Sequence, residues 1–147
     1  MARTLEMAIE INAPAQDVWR VLTDFPSFAD WSRFILSAEG KPAQGERLML
    51  KMNDGGGIMT FTPQVVVCTP AREFGWRGVV GAGFIFAGEH RFILQERAQG
   101  ITHLIQRETF SGLLVPLLWK KLNTRTRAAF ADFNMALKTR VEAGKCS

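Results

Sequence analysis

Tyrosine is missing from this chain altogether, cysteine and histidine appear twice each, and no apolar stretch is long. Each shortage removes a class of explanation. The longest apolar run, Leu113 to Trp119, contains Pro116 and falls far short of the roughly 20 residues that a membrane span needs. Two cysteines, Cys68 and Cys146, are too few for a disulfide framework, and neither sits at a metal-like spacing. Both read as free thiols. His90, His103, Cys68 and the acidic residues likewise show no ligand spacing, so neither a metal nor a cofactor is expected. The opening MARTLEMAIE lacks the apolar segment and cleavage site of a secretory leader, and the expected location is cytoplasmic. An excess of 18 Lys and Arg over 14 Asp and Glu gives a net charge of +4. The basic residues are nevertheless scattered, apart from Lys120, Lys121, Arg125 and Arg127. No basic block interleaves with aromatics, which argues against nucleic acid as a partner.

What is present describes a soluble globular chain: 47% hydrophobic and 22% charged residues in a length of 147. That length suits one domain, residues 1–147, able to bury roughly two-thirds of its unfolded surface. Residues 4–12, TLEMAIEIN, alternate Leu5, Met7, Ile9 and Ile11 against Thr4, Glu6, Ala8 and Glu10, the pattern of a half-buried strand. NAPAQDVWRVLTD follows, with Pro14 suited to a first helical turn and Val18, Trp19, Val21 and Leu22 at helical spacing. PSFADW predicts a second short helix capped by Asp24. From residue 34 to 110, turn-rich stretches such as NDGGG and VGAG separate strand candidates. These are Phe34–Ala38, Arg47–Met52, Met59–Val67, Glu73–Gly78, Phe84–Glu96 and Ile101–Phe110. Val115, Leu118, Leu122, Ala129, Phe133, Leu137 and Val141 then recur at helical spacing, predicting one amphipathic helix over residues 111–143. Strands followed by a helix define an α+β chain with one sheet face covered.

The stretch EINAPAQDVWRVLTDFPSFADWSRFI, residues 10–35, carries Ile11, Ala13, Pro14, Val18, Trp19, Leu22, Asp24, Trp31, Ser32 and Ile35 in a distinctive order. It resembles the opening signature of the SRPBCC superfamily, which includes START domains, polyketide cyclases and dehydrases, and birch-pollen-allergen-like proteins. GEHRFIL and RETFSGLLVPLLWKKL are similar to small stand-alone bacterial members. The resemblance implies a helix-grip fold: a curved antiparallel sheet of six or seven strands around a long C-terminal helix, with two short helices after the first strand. It also implies an apolar chamber between sheet and helix. Ser32 stands where many relatives carry asparagine and Phe28 where many carry tyrosine. The superfamily hosts lipid carriers, receptors, cyclases and hydrolases, so the fold does not by itself name an activity.

Strand alternation orients the candidate site. Phe84, Phe86, Gly88, His90, Phe92 and Leu94 share the apolar face of one strand, with Glu89 and Arg91 opposite, so His90 should point inward. On the next strand Leu104, Gln106, Glu108 and Phe110 share a face, against Ile101, His103 and Ile105 on the other, and the family resemblance implies that the Glu108 face is concave as well. Interior polar groups without partners cost about 1–3 kcal/mol each, so His90, Gln106 and Glu108 should pair with one another, with water or with a ligand. Three roles are open for His90: a bond tying adjacent strands, the polar end of a pocket, or acid–base chemistry. Phe61, Phe74, Trp76, Phe84, Phe86, Phe92 and Phe110 are expected on the concave face, with Met49, Met52 and Met59 as adaptable wall and Leu118 and Leu122 facing them from the helix. NDGGG lacks the lysine and following helix of a phosphate loop and reads as a hairpin turn.

These residues predict a binder or carrier of a hydrophobic small molecule, a lipid, isoprenoid or polyketide-like compound. A polyketide cyclase/dehydratase- or hydrolase-like enzyme using His90 and Glu108 is the alternative, and a protein-binding adaptor a second one. Leu113–Trp119 followed by Lys120 and Lys121 also has the interfacial pattern of a peripheral membrane contact, beside the simpler reading of a first helical turn closing the chamber mouth.

Overall fold

The structure, a computed structural model, describes residues 2–144; Cys146 lies outside them. Strand β1 (Arg3–Ile11) leads into helix α1 (Ala15–Leu22) through Pro14, which sits at the N-cap with extended backbone. A short 3₁₀ turn (Phe25–Ser27) and helix α2 (Phe28–Trp31) follow. Asp24 precedes that turn but caps it with its backbone carbonyl, because its side chain instead accepts the Ser27 hydroxyl at 2.7 Å.

Among the described residues eight strands are observed, against the six or seven expected. They are β1, β2 (Ile35–Glu39), β3 (Met49–Asn53), β4 (Ile58–Phe61), β5 (Gln64–Thr69), β6 (Glu73–Val80), β7 (Phe86–Glu96) and β8 (Thr102–Ser111). All pair antiparallel, in a five-stranded sheet of order β1-β8-β7-β6-β5 and a three-stranded sheet of order β2-β3-β4. The extra strand arises where Met59–Val67 was expected to be continuous. Thr62 and Pro63 break it, placing β4 and β5 in different sheets. Proline has no N–H for a ladder; its carbonyl accepts from Leu48 N at 2.8 Å, and an isolated Arg47–Gln64 bridge stitches the sheets together there.

The C-terminal helix starts at Val115, four residues later than expected, with Pro116 in its first turn, where the missing N–H is harmless. It runs as α3 (Val115–Lys121), a π-helical segment (Leu122–Thr126) and α4 (Arg127–Gly144). At 1.5 Å per residue this is a rod of about 45 Å laid across the concave sheet, the helix-grip arrangement. Ala129, Phe130, Phe133, Leu137 and Val141 bury completely or nearly so against β1, α1 and the sheet interior. Phe84 is the clearest departure from the alternation. Strand β7 begins only at Phe86, residues 81–85 form a turn, and Phe84 is 70% exposed.

Candidate functional site

The inward face of the large sheet is organised in rungs, each a set of residues directly opposed across neighbouring strands. One rung is Phe74, Phe92, Gln106 and Met7; the next is Trp76, His90, Glu108 and Leu5; the next is Gly78, Gly88, Phe110 and Arg3; Val80 and Phe86 form the last pair. On β6 and β7 this series is broken at one place, where glycine faces glycine. At the first rung the space above the sheet is filled: Phe92 meets Phe133 at 5.5 Å between ring centroids, and Phe74 meets Trp19 and Phe25 at 6.1 and 6.0 Å. At the glycine rung no side chain rises from β6 or β7, and a cavity of about 350 Å³ opens between the sheet and the helix.

Its walls are mostly apolar. Trp76, Phe86 and Phe110 line it from the large sheet, Phe61, Met52 and Met59 from the small one, and Leu114, Leu118 and Leu122 from the helix. Polar atoms enter from two places. Asp54, in the β3–β4 turn, accepts a 3.3 Å hydrogen bond from the Thr126 hydroxyl of the π segment, with Lys121 nearby in the lining. His90 and Glu108 form the other polar end. Of the residues singled out from sequence, Phe61, Trp76, Phe86, His90, Glu108, Phe110, Leu118 and Leu122 meet around this one cavity.

Four do not. Phe74 and Phe92 are fully buried in the packed rung, because alternation fixes the face of a strand and not the position along it. Phe84 lies on the outer surface. Gln106 is fully buried behind His90 rather than at the cavity wall. Met49 is exposed and outside the wall, whereas Met52 and Met59 belong to it. Phe34, Leu50, Asp54, Pro63, Gly78 and Thr126 line the cavity without having been foreseen. The paired glycines were the available signal, since glycine inside a strand marks a place where something else comes close.

His90 is 1% exposed and held on every side. Trp76 stacks on it at 4.9 Å and 20°, and Phe130 meets it edge-on at 4.9 Å. Its hydrogen bonds form a chain whose direction can be worked out from the far end. Met7 O and Phe130 O are backbone carbonyls and only accept. Asn134 Nδ2 donates to Met7 O at 3.2 Å, leaving Asn134 Oδ1 to accept from Gln106 Nε2 at 2.7 Å. The other Gln106 N–H goes to Phe130 O at 3.0 Å. Gln106 Oε1 must then be an acceptor, so His90 Nε2, 3.0 Å away, carries a proton. On the other side of the ring, Nδ1 lies 3.0 Å from Glu108 Oε1. With the Nε2 proton committed to Gln106, a hydrogen bond across this contact takes a second proton, carried by Nδ1 or by the Glu108 carboxyl. Gly88 makes room for the arrangement, since a Cβ there would stand 2.3 Å from Glu108 Oε2.

Arg91 and Cys68 lie away from the cavity. Arg91, on the outer face, has its pKa raised mainly by the hydrogen bond to Glu73, reinforced by Glu89. Burial pushes the Cys68 thiol up, and its Sγ donates to Pro42 O at 3.0 Å. Cys68 is a free thiol. Among the described residues no three His, Cys, Asp or Glu side chains gather closely enough to hold a metal ion.

A helix-grip fold enclosing an apolar chamber defines a class, and sequence and structure comparisons agree on that fold. The family model described as polyketide cyclase / dehydrase and lipid transport matches residues 2–142, and the chain belongs to that family, within the SRPBCC superfamily. No curated protein sequence is significantly similar to it. Among solved structures it is similar to the ZhuI aromatase/cyclase from a Streptomyces species, with a TM-score of 0.80, 20% identity, and 97% of this chain and 94% of that one covered. It is similar also to a START superfamily protein from Mycobacterium smegmatis, at a TM-score of 0.73 and 22% identity over 95% and 97% of the two chains. Norcoclaurine synthase from Thalictrum flavum, solved as a point mutant with a transition-state analogue, aligns at a TM-score of 0.75 and 13% identity over 99% and 97%. Identities this low speak for the fold alone.

Proposed function

We propose that this protein binds a hydrophobic small molecule in the chamber, with a polar atom of the ligand directed at Glu108. The observation that carries the reading is the hollow itself: apolar walls on three sides and a single carboxyl–imidazole pair at the sheet end. Apolar pockets with a few converging polar groups are the usual form of a small-molecule site. At about 350 Å³ the chamber is near the lower end of the roughly 300–1000 Å³ common for such sites. That favours a few fused rings or a single isoprenoid or acyl chain over a two-chain lipid. Because Glu108 and His90 share one proton, the pair presents a donor or an acceptor as the ligand requires, a fit for a carbonyl or hydroxyl oxygen. Native mass spectrometry of gently purified protein, together with a panel of fluorescent lipids, tests the reading. A bound apolar mass is expected; its absence, together with no probe uptake, contradicts binding.

The same proton supports a second reading, a cyclase- or dehydratase-like enzyme. In it Glu108 passes the shared proton to a departing or enolising oxygen, and the carboxylate left beside neutral His90 takes up the proton that the adjacent substrate carbon gives up. The discriminating variant is Glu108→Gln, which preserves shape while removing the acid. A carrier keeps its ligand affinity within a few fold, whereas an enzyme keeps binding and loses turnover. His90→Ala is a poor test, because it also orphans the Gln106 carbonyl in a buried place.

A further inference from the structure

Most of the large exposed apolar side chains gather at the chamber mouth. Met59, Val80 and Leu114 form its rim, lining the cavity and reaching the surface at once. Outside them stand Phe84, Leu113 and Leu117, the last two 76% and 79% exposed. The backbone holds this cluster together: Leu113 N donates to Phe84 O at 3.0 Å and Leu114 N to Ile85 O at 3.1 Å. Three leucines and a phenylalanine presented to water around an opening call for a cover.

Charge says which cover. Lys120 and Lys121 follow Leu117 by three and four residues, on the same side of α3. No Asp or Glu occurs between Thr109 and Ala131, between Phe74 and Gly88, or between Gly55 and Arg72, the segments that build the mouth. Among the described residues neither lysine makes an ion pair. The nearby carboxylate of Asp54 is turned to Thr126. Apolar side chains flanked by unpaired lysines are what an anionic bilayer surface receives: the leucines enter the headgroup region and the ammonium groups stay with the lipid phosphates.

We infer that the mouth of the chamber docks on anionic membrane surfaces, so that an apolar molecule dissolved in the bilayer passes over the Met59–Val80–Leu114 rim without crossing water. The loading role rests on the chamber reading; the docking does not. Co-sedimentation with vesicles tests it, using phosphatidylcholine alone and phosphatidylcholine mixed with phosphatidylglycerol. Uptake of a naphthylamine fluorophore is followed in parallel without vesicles. The whole chain is expected to sediment with the mixed vesicles and to be released as salt rises. Leu113→Glu with Leu117→Glu should abolish sedimentation. Lys120→Glu should weaken it by roughly tenfold or more, from the contribution of each basic side chain near an anionic surface. Met135→Glu, an exposed apolar position on α4 outside the rim, should leave sedimentation unchanged. Fluorophore uptake should survive all three changes.

No sedimentation, equal sedimentation with both vesicle types, or indifference to the leucine changes overturns the docking. So does self-association, or capture of a protein partner, that the leucine changes abolish while vesicles bind nothing. Sedimentation without fluorophore uptake leaves the docking standing and removes the chamber reading instead.

Discussion

The two ends of the concave sheet are built from the same strands and covered by the same helix, yet one is solid and the other hollow. At the Phe92 end, Phe74, Phe92, Phe130 and Phe133 interlock and each is at most 1% exposed. Two rungs along, Gly78 faces Gly88 and the helix offers Leu118 and Leu122, both half-buried, where further on it offers Phe130 and Phe133. His90 and Glu108 occupy the rung between. Fold stability and ligand space are thus separated along one strand, and the titratable pair stands at their boundary. It is anchored from the solid side through Gln106 and Asn134 and open on the hollow side through Glu108.

The largest effect that can break this contrast is at the packed end. Phe92→Ala is expected to destabilise by about 3–5 kcal/mol, because its cavity cannot collapse. Phe86→Ala, at the hollow end, already borders empty space and should cost only ~1–2 kcal/mol. Urea unfolding of both variants measures the difference, and equal losses would erase the distinction.

Next in size is the anchor. Gln106→Leu removes the acceptor of the His90 Nε2 proton and leaves buried groups unpaired, a loss of about 1–3 kcal/mol. The same variant should retain fluorophore uptake, because Gln106 lies behind the wall and not in it.

The glycine rung sharpens the comparison further. A methyl group at Gly78 would meet Pro63 Cβ at an ordinary 3.7 Å, whereas one at Gly88 would collide with the Glu108 carboxylate. Gly78→Ala should therefore behave as the native chain, while Gly88→Ala should weaken a ligand that carries a polar oxygen and spare a purely hydrocarbon one. Parallel titrations with one probe of each kind read this out.

The smallest effect is at Cys68. With its pKa raised by burial, less thiolate is present at neutral pH. In a Cys146→Ser background, alkylation of the native chain should be slower than that of a free thiol and should accelerate on unfolding.

The parts of this arrangement legible in the sequence are those governed by period. The alternation through Phe86, Gly88, His90 and Phe92 put the histidine inward, and the 3.6-residue repeat through Leu118, Leu122 and Phe133 put the helix over it. The face of Glu108 was less readable, because His103 and Ile105 compete for it on β8 and only the family resemblance favoured it. What period does not encode is depth along a strand. Phe74 and Phe92 share a face with Trp76 and His90, and only the rings that Trp19, Phe25 and Phe133 lower onto them decide which positions are core. The small sheet was harder still. Its strands are only four or five residues long, so Leu50, Met52 and Asp54 gave little pattern to read. Alternation also misled where it was carried past the end of β7, into the turn that turns Phe84 outward.

One experiment reaches the central claim without relying on variants: a crystal structure of the protein with the naphthylamine fluorophore. Ring density between Phe86, Phe110 and Leu118, with the amine nitrogen facing the Glu108 carboxylate, is the expected result. Side chains collapsed into that space, or fluorophore bound only on the outer surface, would contradict it.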